Sequence, residues 1–213
     1  MPELTPDHVL ATTRAVRKRL DFDRPVPREL LLECLELAVQ APTGGNRQEW
    51  QFLFITDPDQ KRVVADYYGR SYDRYRQTQP PSYAEGDIRG IQRPKVVSSS
   101  DYLRQRLHEV PVMLIPLHAG RLPENASVQM AAGFYGSILP AAWSFMLAAR
   151  ARGLGTTWTT LHLKYEREVA EALRIPYQEF TQAALIPIGY YTGADFKPSP
   201  KLPLESVAHW ETW

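Results

Sequence analysis

Cysteine is almost absent from the chain. Cys34 is the only one in 213 residues, so no disulfide framework and no cysteine-based metal site can form within a single chain. It lies in the apolar run LLLECLELAVQA and reads as a small core residue. Net charge is nearly absent too. The 25 basic residues face 24 acidic ones for a formal +1, which gives no reason to expect nucleic acid or an anionic membrane as the main partner. The opening MPELTPDHVL has neither a basic nor an apolar leader region, so the expectation is a cytoplasmic protein. The longest nearly apolar run, ILPAAWSFMLAA, is too short to span a bilayer and reads as buried helix.

Several catalytic signatures are missing as well. The five histidines show no HExxH or paired spacing, so no metal site is expected. There is no G-x-S-x-G elbow for a serine nucleophile and no G-x-x-x-x-G-K-[ST] loop for a nucleotide. GLGTTW lacks the third glycine of a dinucleotide fingerprint and follows a helix where that fingerprint follows a strand.

What remains is an ordinary globular composition, 44% hydrophobic and 23% charged, long enough to bury one sizeable core. Thr5-Pro6 starts a helix, and Val9, Thr13, Val16 and Leu20 continue it at helical spacing. A second helix follows Pro27 and stops before Pro42. WQFLFIT reads as a strand, Asp57-Pro58 as a helix start running to about Tyr68, and VPVMLIPLH as a central strand. Ala126 to Ala149 carries no charge and is apolar all round, which calls for burial on all sides, partly by a second subunit. Gly133 and Gly136 would allow close approach, and Pro140 should kink the helix. A last helix over KYEREVAEALRI and a strand at AALIPIGYY complete the elements.

Two regions break this regularity. Residues 69–110 are polar and lack a sustained period, so they read as a long excursion or lid, with short helices at Tyr72–Gln77 and Asp101–His108. The tyrosines at 67, 68, 72, 75 and 83 could line a pocket or cover the core edge. Residues 193–213 form a proline-rich tail ending in Trp210 and Trp213, which is expected to pack on a partner subunit.

Three segments could carry chemistry. TTRAVRKRL places Arg14 and Arg17 three apart, on one face near the end of the first helix. Such a pair can chelate a phosphate, or can be a solvated basic end that complements the helix dipole. APTGGNRQEW offers unencumbered backbone amides at a turn that can hydrogen-bond a flat heterocycle, or is only an irregular helix-to-strand loop. GTTWTT supplies hydroxyls and backbone donors, with the same two readings.

Taken in order, RAVRKR, APTGGNRQEW, the alanine-rich helix leading into ARARGLGTTW, and IPIGYY with the basic tail ADFKPSPKLPL resemble the FMN-dependent nitroreductase family over nearly the whole chain. The resemblance implies an α+β fold with a mostly antiparallel sheet, one domain over 1–213, and an intertwined homodimer holding FMN at its interface. It implies that NADH or NADPH donates electrons to a small-molecule acceptor, a nitroaromatic or quinone, by a ping-pong mechanism. The alternatives it leaves are a specialised flavin enzyme (dehydrogenation of a biosynthetic intermediate, dehalogenation or flavin breakdown) and a non-catalytic flavin-binding dimer. Carried over by position, Arg14, Ala15 and Arg17 meet the phosphate, ribityl chain or pyrimidine edge. Pro42, Thr43, Gly44, Asn46 and Gln48 touch the ring from the opposite subunit, and Thr157, Trp158, Thr159 and Thr160 approach its redox-active nitrogen through backbone donors. Lys201, with Lys197 as its rival, is a second phosphate cation; no catalytic side chain is identifiable. Three positions depart from the pattern: Ala15 replaces a serine, Thr13 an arginine, and Glu49 the proline before Trp50.

Overall fold

A computed structural model describes residues 4–213. Its organising element is the strand Val112–Ala119 (β2), buried along nearly all its length. The strand Trp50–Ile55 (β1) pairs with it antiparallel from Trp50↔His118 to Ile55↔Met113. Two short strands share the other edge of β2. Phe180–Gln182 (β4) takes Leu117–Ala119, and Ile186–Tyr190 (β5) takes Val112–Leu114. Leu154–Thr156 (β3) then pairs outside β5, giving the order β1-β2-β5-β3 with every strand pair antiparallel. Helices pack around the sheet, so the fold is α+β, as the resemblance implies.

The first helix (α1, Pro6–Thr12) is capped by Thr5, whose hydroxyl accepts the His8 amide at 3.2 Å. It is shorter than its apolar spacing suggests. Thr12 and Thr13 turn their hydroxyls back to the carbonyls of His8 and Val9, and from there the chain runs extended along the sheet. The Val16 amide is taken by the Thr156 carbonyl (2.8 Å) and the Asp21 amide by that of Tyr190 (2.8 Å). Val16 and Leu20 are therefore core residues of a non-helical segment, with a turn closed by the Leu20 amide on the Arg17 carbonyl (3.2 Å), and Arg14 and Arg17 do not share a helical face.

Arg28–Ala38 (α2) buries Leu31, Cys34 and Ala38 against the long helix Val128–Ala151 (α5), and burial raises the Cys34 thiol to about 11. The C-terminal half of α5 fills the core with Ile138, Ala142, Phe145 and Met146. Its N-terminal half leaves Val128, Met130 and Tyr135 exposed in the single chain, with Trp143 beyond. At 24 residues and a mean hydropathy of 1.2 over its best window, α5 is long and apolar enough to cross a membrane, contrary to the shorter run read from the sequence. In this fold its residues from Ser137 onward supply the buried face, and the helix packs on α2 and β2.

The segment 69–110 is largely helical, where the sequence suggests an excursion with two short helices. Pro58–Gln77 (α3) runs nine residues past Tyr68, capped by Asp57, and Ile88–Arg106 (α4) starts at the Asp87 cap, whose carboxylate accepts the Arg89 amide at 2.8 Å. Only residues 78–87 between them are irregular. Tyr68 and Tyr72 are core residues, and Tyr75 is exposed. Glu166–Leu173 (α6) ends the helices.

Candidate functional site

The segment Arg14–Arg19 forms one wall of a 580 Å³ cavity. The segment is stitched to β3 by the Val16–Thr156 bond, by an Ala15–Thr156 bridge, and by the Thr157 hydroxyl donating to the Val16 carbonyl at 2.6 Å. The facing wall comes from α4 through Ile88, Ile91, Gln92, Lys95, Val96 and Ser99, and a third from the tail through Phe196, Ser199 and Pro200. The tail is pinned there by Gln92, which donates to the Pro200 carbonyl at 3.0 Å.

Five cations line this space, Arg14, Arg17, Lys18, Arg19 and Lys95, and no carboxylate does. Arg14, Arg17, Lys18 and Lys95 make no ion pair among the described residues. Arg17 and Lys18 instead donate to the hydroxyls of Ser99 (3.1 Å) and Ser98 (2.7 Å) on α4. Burial lowers the Arg17 pKa, with Tyr68 and Tyr72 opposing, yet a guanidinium stays charged at neutral pH. Unpaired cations beside an apolar wall suit a ligand with an anionic end and a flat body. The residues present therefore fit a phosphate-bearing, ring-containing cofactor.

The other candidate residues fall elsewhere. The turn after α2 lines a separate cavity of 770 Å³ through Gly44 and Gly45, with Arg47, Glu49, His118, Phe134 and Ser137. The Gly44 amide donates to the Ser137 hydroxyl of α5 at 3.1 Å, and the Gln48 amide to Thr43 Oγ1 at 3.2 Å. Gly45, Asn46 and Gln48 all have positive φ, and for Gln48 that conformation is uncommon. Glu49 pairs with Arg47 (2.8 Å) while its carbonyl accepts the Ala119 amide, so it opens the β1–β2 ladder as well as facing the cavity. Within one chain, the turn Pro42–Gln48 and the Arg14–Arg17 segment thus belong to different cavities.

In the Thr157–Thr160 stretch, the amides of Thr157 and Thr159 are spent on Pro187 and Leu185 of the sheet. Alternation along extended chain turns the amides of Trp158 and Thr160 to the opposite edge. Lys197 and Lys201 are exposed and flank the cavity-lining Ser199 and Pro200 without lining it themselves. Lys18, Gln92, Lys95 and Ser99 are cavity residues that the sequence reading passed over, and Arg19, which a helical reading puts off the Arg14/Arg17 face, lines the cavity too. Lys18 and Arg19 stand within RAVRKR itself, which was their only signal, and nothing local marked α4.

Comparison with known proteins bears on the family and the fold. The family model described as "Nitroreductase family" matches residues 10–190. An NADH dehydrogenase of Thermus thermophilus is 28% identical over 218 residues, covering 95% of this chain and 97% of the relative. A 4-nitrobenzoate reductase of Nocardioides sp. is 29% identical over 208 residues, covering 86% and 79%. Among solved structures, the FMN- and NADPH-dependent nitroreductase NfnB of Sphigopyxis sp. superposes with a TM-score of 0.71 at 22% identity, covering 99% of this chain and all of that one. The chain belongs to the nitroreductase family.

Proposed function

We propose that the protein is an FMN-dependent NAD(P)H oxidoreductase that acts as a homodimer on flat organic acceptors such as nitroaromatics or quinones. The observation that carries this reading is the 580 Å³ cavity with five cations, no carboxylate and an apolar wall, set in a nitroreductase-family fold. Bound FMN would supply the two-electron chemistry between nicotinamide and acceptor.

The chain's own residues hold and tune that cofactor. Arg14, Arg17, Lys18 and Lys95 neutralise its phosphate, with Lys197 and Lys201 of the tail in reserve. A cation near the pyrimidine edge favours the anionic reduced form and makes reduction easier. The turn Pro42–Gln48 and the 770 Å³ cavity beside it come from the second copy, which brings the two half-sites together. Trp158 and Thr160 present backbone donors on the edge left free by the sheet. A cofactor held in this way would serve donor and acceptor in turn, and ping-pong kinetics would follow.

The test is direct. The purified protein should be yellow, bleach on anaerobic addition of NADH or NADPH, and turn over with nitrofurazone or menadione. A colourless protein that cannot be reconstituted with FMN would sink the proposal. Bound FMN without turnover of either acceptor would restrict it to a narrower substrate.

A further inference from the structure

The root of the C-terminal tail is held by a cluster of groups that the cofactor reading does not use. Arg150, at 2% exposure, is the most buried cation among the described residues. It donates to Asp195 Oδ1 (2.5 Å), Thr12 Oγ1 (2.9 Å) and the Tyr191 hydroxyl (2.9 Å). Asp195 Oδ1 also accepts the Phe196 amide at 2.8 Å, and Oδ2 faces His8 Nε2 at 2.6 Å. Arg19 clamps the same turn from the other side, donating to the carbonyls of Thr192 and Ala194. Side chains of α1 and α5 thus converge on one carboxylate of the tail.

The product of this convergence is the placement of Phe196. Its ring is buried and has the guanidinium carbons of Arg19, Arg150 and Arg14 at 4.1, 5.3 and 5.8 Å from its centroid. All three are within cation–π range. Phe196 and Arg14 both line the 580 Å³ cavity, and the chain beyond Phe196 carries Ser199 and Pro200 onto its wall. A carboxylate outside the cavity is therefore two contacts away from a cation inside it.

We infer that Asp195 is a positioning residue for the phosphate end of the cofactor cavity: joined to Arg150 and to the Phe196 amide, it fixes the ring that sets Arg14 and leads the tail across the site. The inference rests on the cofactor reading above. A brace that served only core stability would have no reason to discriminate between ligands. Asp195 acting through Arg14 and the tail discriminates by phosphate.

The experiment compares FMN with riboflavin, which lacks the phosphate, on the full chain stripped of flavin. Affinities are read by flavin fluorescence for the unaltered protein, Asp195→Asn, Asp195→Glu and Phe196→Leu. Asp195→Asn and Phe196→Leu should lower the FMN-to-riboflavin affinity ratio on the order of tenfold, the weight of one charge-assisted contact. Asp195→Glu should recover most of it. Phe196→Leu leaves the Arg150–Asp195 pair intact, so it remains informative where loss of the carboxylate unfolds the chain. An unchanged ratio in Phe196→Leu, or equal weakening of both flavins in Asp195→Asn, overturns the inference. If the unaltered protein binds neither flavin, the cofactor reading itself falls, and this inference falls with it.

Discussion

The Val16 amide and the Thr156 carbonyl lie 2.8 Å apart, and the Thr157 hydroxyl returns to the Val16 carbonyl at 2.6 Å. This reciprocal pair joins two segments far apart in sequence and turns the RAVRKR stretch into an extra sheet edge. Gly155 makes the approach possible. A Cβ there would sit 2.8 Å from Val16 Cγ1 and 2.9 Å from Val16 Cβ, closer than packed atoms allow, and a tight 3.2 Å from Leu20 Cδ2. Gly155→Ala should therefore destabilise the chain by about 1–3 kcal/mol, the ordinary cost of overpacking. It should also weaken flavin retention by displacing Arg14–Arg17. Denaturant melts and the ratio of flavin to protein absorbance after gel filtration would check both; unchanged stability would mean the two segments are not tightly joined.

The cation set makes a second prediction. Arg17→Ala and Lys95→Ala should each weaken FMN binding on the order of tenfold, the scale of a lost charged hydrogen bond. Arg62→Ala removes an exposed cation on α3 paired to Asp59 and should leave binding unchanged. Lys197→Ala and Lys201→Ala would decide which tail lysine, if either, reaches the ligand. Binding measured by fluorescence titration should also weaken as salt rises, since exposed cations are screened. Equal affinity in Arg17→Ala and Arg62→Ala would remove the phosphate from this cavity.

Much of this was legible in the residues. The strand WQFLFIT, the central VPVMLIPLH and the helix ended by Pro42 all fall where period and punctuation place them. The Arg14/Arg17 helix face was not legible, because Val9, Thr13, Val16 and Leu20 keep a helical spacing while the helix stops at Thr12 and the sheet edge claims the amides of Val16 and Asp21. Tertiary pairing outweighed local periodicity there. Residues 69–110 misled for another reason. Helix α4 has Pro94 inside it, is rich in serine, and buries Leu103 alone, so its sequence carries almost no apolar stripe. That polar helix supplies Lys95 and Ser99 to the cavity, which is why those two site residues were invisible.

His162 gives the fold an acid limb. The ring is fully buried, and neither nitrogen has a hydrogen-bond partner. Burial drives its pKa down to about 3, with Gln182 opposing. The unfolded chain binds the proton more tightly than the native one, so stability is full above pH 6.5 and falls as pH drops from there toward about 3. The slope should approach about 1.4 kcal/mol per pH unit. Asp195 acts lower. Burial opposes its ionisation, but the Phe196 amide, His8 and Arg150 outweigh that and hold it at about 2, so its contribution is lost only as pH falls below 3.8. Urea melts between pH 7 and 4.5 should steepen accordingly, and His162→Leu should flatten that limb. An unaltered slope in the variant would assign the acid sensitivity elsewhere.

The exposed half of α5 sets the last expectation. Val128 is 87% exposed and Trp210 of the tail 83%, and Met130, Tyr135, Leu204 and Val207 add to the apolar surface of the single chain. Surface of that extent marks an interaction face. Gly133 and Gly136 lie on this part of α5, and a Cβ built on either meets nothing within 4 Å. Within the lone chain, then, a large side chain at Gly136 has room and should cost little. In the homodimer proposed above, with this face between the two copies, it would not. Gly136→Arg should leave the chain folded by circular dichroism yet shift it from dimer to monomer in sedimentation velocity. Flavin should be lost in the same step, because the Pro42–Gln48 turn is tied to this helix through Gly44 and Ser137 and would no longer meet the second copy's cavity. A folded Gly136→Arg protein that stays dimeric and yellow would place the subunit contact on another face.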